Sequence, residues 1–189
     1  MKQVLVLTGL LTVVCAVFAQ QAPCVGEART KMEKLAGEES TLVIKGMTRV
    51  GQIRGVRGGF IVIKVEEIKE AASGKRATGI AAEVVDMANP EAKHASYLDY
   101  DEIGELMRVV DFFSKTSHAL TQLDEYQAIF RTPGGLELSI RSIRIGEGIR
   151  ITSIDKCGTA FSVFLDPGDM PALKDLLITA KAKLDDLGK

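Results

Sequence analysis

The chain has 189 residues, with 24 Lys and Arg against 25 Asp and Glu and a formal net charge of −1. That balance gives no general attraction for nucleic acid or an anionic membrane. With two histidines and three cysteines, the chain has few of the ligands that metal sites cluster.

Residues 1–19 read as a secretory signal peptide. Met1 and Lys2 precede an apolar run from Val4 to Val17, and Val17, Phe18 and Ala19 offer a cleavage site before Gln20. The run falls short of the ~20 apolar residues that a spanning helix needs, so the expectation is a secreted or periplasmic protein with no transmembrane segment after cleavage. Cleavage removes Cys15 and leaves Cys24 and Cys157. In an exported chain those two are a candidate disulfide. The bridge would close a long loop, contributing ~4 kcal/mol in the chain-entropy picture. Two unpaired thiols are the alternative.

Residues 20–40 form an N-terminal tail with one short helix around Glu27 to Leu35. Residues 41–118 read as a first β-meander plus helix. A strand begins at Leu42 and continues towards Ile53, kinked at Gly46 and Gly51. Gly58 and Gly59 punctuate, and Phe60 to Val65 is rich in β-branched residues. A turn over Ala72 to Lys75 leads to a strand over Thr78 to Val85. A connector over Met87 to Ala92 leads to a strand at Ala95 to Leu98. Asp99 is then placed as an N-cap, with Glu102 completing a capping box. Ile103, Leu106, Val110 and Phe113 recur at helical spacing behind it. Met107, Val109 and Phe112 widen that apolar face, so both sheets or a second subunit would cover it.

Residues 119–189 repeat the plan. A strand over Glu125 to Arg131 is anchored by Tyr126 and Phe130, and Thr132 to Gly135 forms a turn. Leu136, Leu138 and Ile140 share one parity, whereas Ile143 and Ile145 take the other, which predicts a bulge near Arg141 and Ser142. Gly146 to Gly148 reads as a turn, Ile149 to Ile154 as a strand and Asp155 to Gly158 as another turn. Thr159 to Leu165 feeds the last helix. Asp166 is its cap, with Pro167 at the first helical position and Asp169 at the third. Met170, Leu173, Leu177, Ala180, Leu184 and Leu187 form its stripe. Short turns imply antiparallel pairing. The fold class expected is α+β: antiparallel β-meanders with one long amphipathic helix each, as a tandem ββββα pseudo-repeat forming one compact domain. The rival view is that any strand-cap-helix junction converges on this pattern.

Signatures of catalysis and metal binding are mostly missing. His94 and His118 are isolated and read as surface imidazoles. Asp99 and Asp101 hint at a calcium loop, but Ile103 and Val110 stand where oxygen ligands belong. No nucleophile elbow, phosphate loop or dinucleotide fingerprint is present. Glu66 and Glu67 would face opposite sides of a strand. No catalytic, cofactor-binding or metal residue is therefore assigned, and no cofactor is expected. One charge feature remains: Lys45, Arg49 and Arg54 in the first half and Arg141 and Arg144 in the second. These are either strand decoration that discourages edge pairing or an anion-binding face.

Tyr97 to Ile103, Thr132 to Leu136 and Lys181 to Asp185 resemble segments of a family of small exported bacterial proteins with no assigned activity. The resemblance carries no catalytic residue. The tandem plan is also similar to the Whirly and PUR-type single-strand binders, although function does not follow from fold, and export and the negative charge count against it. The expected function is an exported, non-catalytic binding or interaction protein whose partner is a protein or small ligand, with a homodimer in prospect. A polyanion or single-stranded nucleic-acid binder is the alternative, and an enzyme whose site forms only on assembly is the second. Loss of the caps in Asp99→Ala and Asp166→Ala is expected to cost about 1 kcal/mol each.

Overall fold

A computed structural model describes residues 27–86, 93–115, 121–143 and 146–188. The predicted signal peptide, Cys24, the connector Met87 to Ala92, His118 and Arg144 lie outside the described residues.

A short helix, α1 (Lys31–Ala36), comes first. It starts later than Glu27 because Thr30 caps it, the Thr30 hydroxyl accepting from the Glu33 N–H at 3.0 Å. The first meander is β1 (Val43–Arg54), β2 (Phe60–Glu70), β3 (Arg76–Val85) and β4 (Lys93–Asp99), paired antiparallel in that order. The predicted strand after Gly59 runs on to Glu70, and the ladder is uninterrupted at Gly46. The one irregularity in β1 is a register shift between Arg49 and Gly51. A 3-10 turn over Tyr100–Glu102 then leads into α2 (Ile103–Lys115).

The second meander is β5 (Gln127–Arg131), β6 (Leu136–Ile143), β7 (Gly146–Ile154) and β8 (Ala160–Leu165). A 3-10 turn over Pro167–Asp169 and α3 (Met170–Leu187) close the chain. The fold is α+β, two four-stranded antiparallel sheets with helices in a ββββα repeat-like order.

The expected bulge near Arg141 and Ser142 is absent. β6 pairs β7 in one unbroken register from Leu136 opposite Ser153 to Ile143 opposite Gly146. Ser142 holds the parity of Leu136, Leu138 and Ile140 and is itself buried. The apparent switch was a polar residue occupying a core position. Gly146 to Gly148 is correspondingly strand, not turn.

One apolar core joins the halves. Ile61, Ile63, Val65, Ile80 and Val84 of the first sheet meet Leu138, Ile140, Ile149 and Val163 of the second and the buried stripes of both long helices. α3 makes its main sheet contacts outside its own half. It lies across β1, β2 and β3 of the first half, close enough that the Leu176 methyls approach Gly51. Arg76 in β3 donates to the Leu187 carbonyl at 2.6 Å, at the far end of α3. α2 packs against α3, and Lys174 on α3 pairs with Asp111 on α2 at 2.6 Å. α3 therefore crosses to the first half, and one core shared by both halves buries their apolar faces. The α2 stripe is buried as predicted. On α3 the stripe ends at Leu184, and Leu187 is 41% exposed. On the opposite face of the first sheet, α1 seats Met32 and Leu35 against Ile68.

Candidate functional site

The strongest concentration of polar side chains lies where β4 of the first sheet meets β7 and β8 of the second. Alternation along β4 sends His94, Ser96 and Leu98 to one side. On β7, Ile149, Ile151 and Ser153 share a parity, so a serine continues an apolar row. The Ser96 and Ser153 hydroxyls meet at 2.7 Å, both fully buried. His94 Nδ1 lies 2.7 Å from the Ser153 hydroxyl, and its ring stacks on Phe161 with centroids 5.7 Å apart. His94 is thus a half-buried strand residue, which corrects its reading as a surface imidazole.

Beside it opens a cleft of about 400 Å³ lined by Glu33, Ala36, His94, Tyr97, Asp155 and Lys156, among others. Arg29 bridges the seam, donating to the Asp155 carbonyl at 2.8 Å while its own N–H donates to Glu33 Oε2 at 2.7 Å. The Asp155 side chain accepts the N–H groups of Cys157 at 2.8 Å and Thr159 at 2.7 Å, closing the β7–β8 turn. Burial pushes the Asp155 carboxyl up, but the Thr159 and Cys157 bonds and the neighbouring imidazole outweigh it and hold the group below the usual carboxylate range. Burial depresses the His94 pKa, opposed by Asp155 and Glu33 and assisted by Arg29.

The Ser153–His94 contact has the spacing of a nucleophile and its base. Ser153 has no exposed surface, however, so no substrate reaches its hydroxyl in this arrangement. The pair serves as a polar lock between the sheets, where each buried hydroxyl finds a partner. A signal for it was present in the sequence: His94, Ser96 and Ser153 each occupy the parity of core residues.

The lock makes a pH prediction. A depressed His94 pKa means that the folded state favours neutral imidazole. Its contribution is complete above the ordinary value of 6.5 and is lost as pH falls through the lower folded value. The melting temperature is expected to fall below pH ~6.5 more steeply for wild type than for His94→Asn. Parallel curves for the two proteins would refute the assignment.

The basic residues of the expected anion-binding face fall on both sheets. Lys45, Arg49 and Arg54 share one face of β1, continued by Lys64 on β2. Lys45 pairs with Glu66 at 2.7 Å and Lys64 with Glu83 at 2.7 Å. Burial lowers the Lys45 pKa, but Glu66 and the Tyr97 hydroxyl more than compensate and raise it. Arg49 donates to the Gln52 side chain. Arg141 sits on the other sheet, 3.9 Å from Glu125. Arg131 and Arg150 both approach the buried Glu137, at 2.7 and 3.7 Å. With Lys45, Lys64, Arg131, Arg141 and Arg150 facing carboxylates, the protein is expected to leave heparin at low salt. Retention beyond moderate salt would favour the polyanion reading.

Asp99 and Asp101 both have partners within the protein. Asp101 pairs with Lys31 at 3.1 Å, and among the described residues no group of three or more His, Cys, Asp or Glu is placed to hold a metal ion. Glu66 is buried and Glu67 is not, as alternation requires. Cys157 is disulfide-bonded, and the other two cysteines of the chain, Cys15 and Cys24, lie outside the described residues. Compared with known proteins, the chain matches no family model, no curated protein and no solved structure.

Proposed function

We propose that this chain is an exported, non-catalytic binding protein that takes a small polar or zwitterionic molecule in the seam cleft. One observation carries the reading: a cleft of about 400 Å³ gathers an imidazole, two carboxylates and an ammonium, from His94, Glu33, Asp155 and Lys156. A few convergent polar groups in a concave site are what orients a small ligand. Their mixed signs suit a molecule bearing both an amine and a carboxylate. Ser153 holds one His94 ring nitrogen, leaving the other for a ligand.

Two features support export. The N-terminal sequence has the layout of a cleavable signal, and the disulfide at Cys157 belongs to an oxidising compartment. The absence of a substrate path to Ser153 supports binding over catalysis.

The test is a titration of the oxidised protein with free amino acids and short peptides, read by the imidazole NMR resonances of His94. A saturable shift that disappears in Ala36→Trp, which fills the cleft from α1, is the expected result. No movement of those resonances with any compound, or movement that persists in Ala36→Trp, would end the proposal.

A further inference from the structure

The four sheet edges are treated unequally. β1 carries a bulge together with Lys45 and Arg49, two devices that discourage edge pairing. β4 lies against β7 at the seam, and on β8 the Phe164 carbonyl accepts the Val56 N–H at 2.8 Å. β5 is the outermost strand of its sheet and pairs only with β6 among the described residues.

The register identifies the backbone groups that β5 presents outward. The Ser142 N–H donates to the Tyr126 carbonyl at 3.0 Å, and the Thr132 N–H to the Leu136 carbonyl at 2.8 Å. In an antiparallel ladder, bonded residues alternate. Ala128 and Phe130 therefore bond to β6, while the N–H and C=O of Gln127, Ile129 and Arg131 point away from it. Side chains reinforce the exposure. Ile129 is 45% exposed, and Ala128, Ile129 and Phe130 border a groove whose α2 side carries Val109 and Phe112 beside Glu105 and Arg108.

We infer that β5 pairs with β5 of a second copy of this chain about a two-fold axis through Ile129, joining two sheets edge to edge. The sequence of the strand is self-complementary in that arrangement. Ile129 meets its own symmetry mate, and Gln127 stands opposite Arg131, so no like charges face each other. Every outward N–H and C=O of Gln127, Ile129 and Arg131 finds a mate. On the groove side, the small Ala128 opposes the large Phe130, and the second copy extends the apolar floor beside Phe112. The interface is isologous, as a two-fold requires. It uses no residue of the seam cleft, so its failure and that of the proposed ligand site are separately visible.

Sedimentation equilibrium of the full oxidised chain is the test, with two variants. Ile129→Pro deletes an outward N–H without removing a β5–β6 bond, and Ile129→Lys sets two ammonium groups against each other on the axis. Dimer mass for wild type and monomer mass for both variants are expected. If either variant fails to fold, amide exchange on the wild type decides: Gln127, Ile129 and Arg131 must become protected as concentration rises. A wild type that stays monomeric, dimers that survive both folded variants, or amides indifferent to concentration would overturn the inference.

Discussion

Replacing Gly134 by alanine is expected to cost about 3 kcal/mol or more, because the new methyl collides with main chain and not with a side chain that can move. A Cβ at position 134 would lie 1.8 Å from the Tyr97 carbonyl oxygen and 3.1 Å from a Thr30 methyl. Gly134 belongs to the β5–β6 turn of the second sheet, whereas Tyr97 is in β4 of the first. The clash therefore pushes apart the seam that holds His94 against Ser153, and α1 is displaced through Thr30. For a chain of this size the loss corresponds to a drop in melting temperature of roughly 10 °C. Gly104 supplies the control. It lies in α2 with nothing within 4 Å of its Cβ position, so Gly104→Ala is expected to stabilise by up to about 1 kcal/mol through helix propensity. Urea unfolding of the two variants against wild type measures both effects. A Gly134→Ala protein that unfolds with the wild-type midpoint would show that the seam is looser than its geometry.

That seam marks the limit of what one-dimensional pattern reveals. Periodicity located both helices and the β-branched strands because those signals are local: Ile103, Leu106, Val110 and Phe113 declare a buried stripe without naming its partner. Partner choice is not local. Nothing in the spacing of Met170, Leu173 and Leu177 says that α3 crosses to β1–β3 of the other half, so the natural expectation paired each helix with its own meander. Polar residues at core parity caused the other misreadings. Ser142 on β6 mimics a bulge, and the isolated His94 reads as a surface residue although it holds core parity. For His94, the buried Ser153 hydroxyl of the distant half accommodates the polar ring. The ion pairs Lys45–Glu66 and Arg131–Glu137 leave no mark in the sequence, since cross-strand partners are fixed by register.

The caps separate into two classes once their partners are known, and the second large effect follows. Asp166 accepts the Gly168 N–H at 2.8 Å and faces Asp169 in an exposed capping box, so Asp166→Ala is expected to cost about 1 kcal/mol. Asp99 holds the same position at the first repeat, and its N–H donates to Glu102 Oε2 at 2.7 Å. Burial pushes the Glu102 carboxyl up, opposed by that N–H bond. The Asp99 carboxylate, however, reaches across to α1, accepting the Lys31 N–H at 2.8 Å and the Met32 N–H at 3.3 Å. Those are orphan donors of a helix only 6 residues long, and such a helix is marginal without tertiary support. Met32 is fully buried, so its N–H has no ready route to water. Removing the carboxylate forfeits the cap and strands two donors, which brings Asp99→Ala to about 3 kcal/mol. Asp99→Asn keeps one acceptor oxygen and is expected to recover part of the loss. Trypsin reports the local consequence independently of global stability: Arg29, Lys31 and Lys34 flank or sit in α1, and cleavage there is expected to accelerate in Asp99→Ala and not in Asp166→Ala. Equal stabilities and equal cleavage rates for the two alanine variants would mean that Asp99 caps its own helix alone and that α1 is held by Met32 and Leu35.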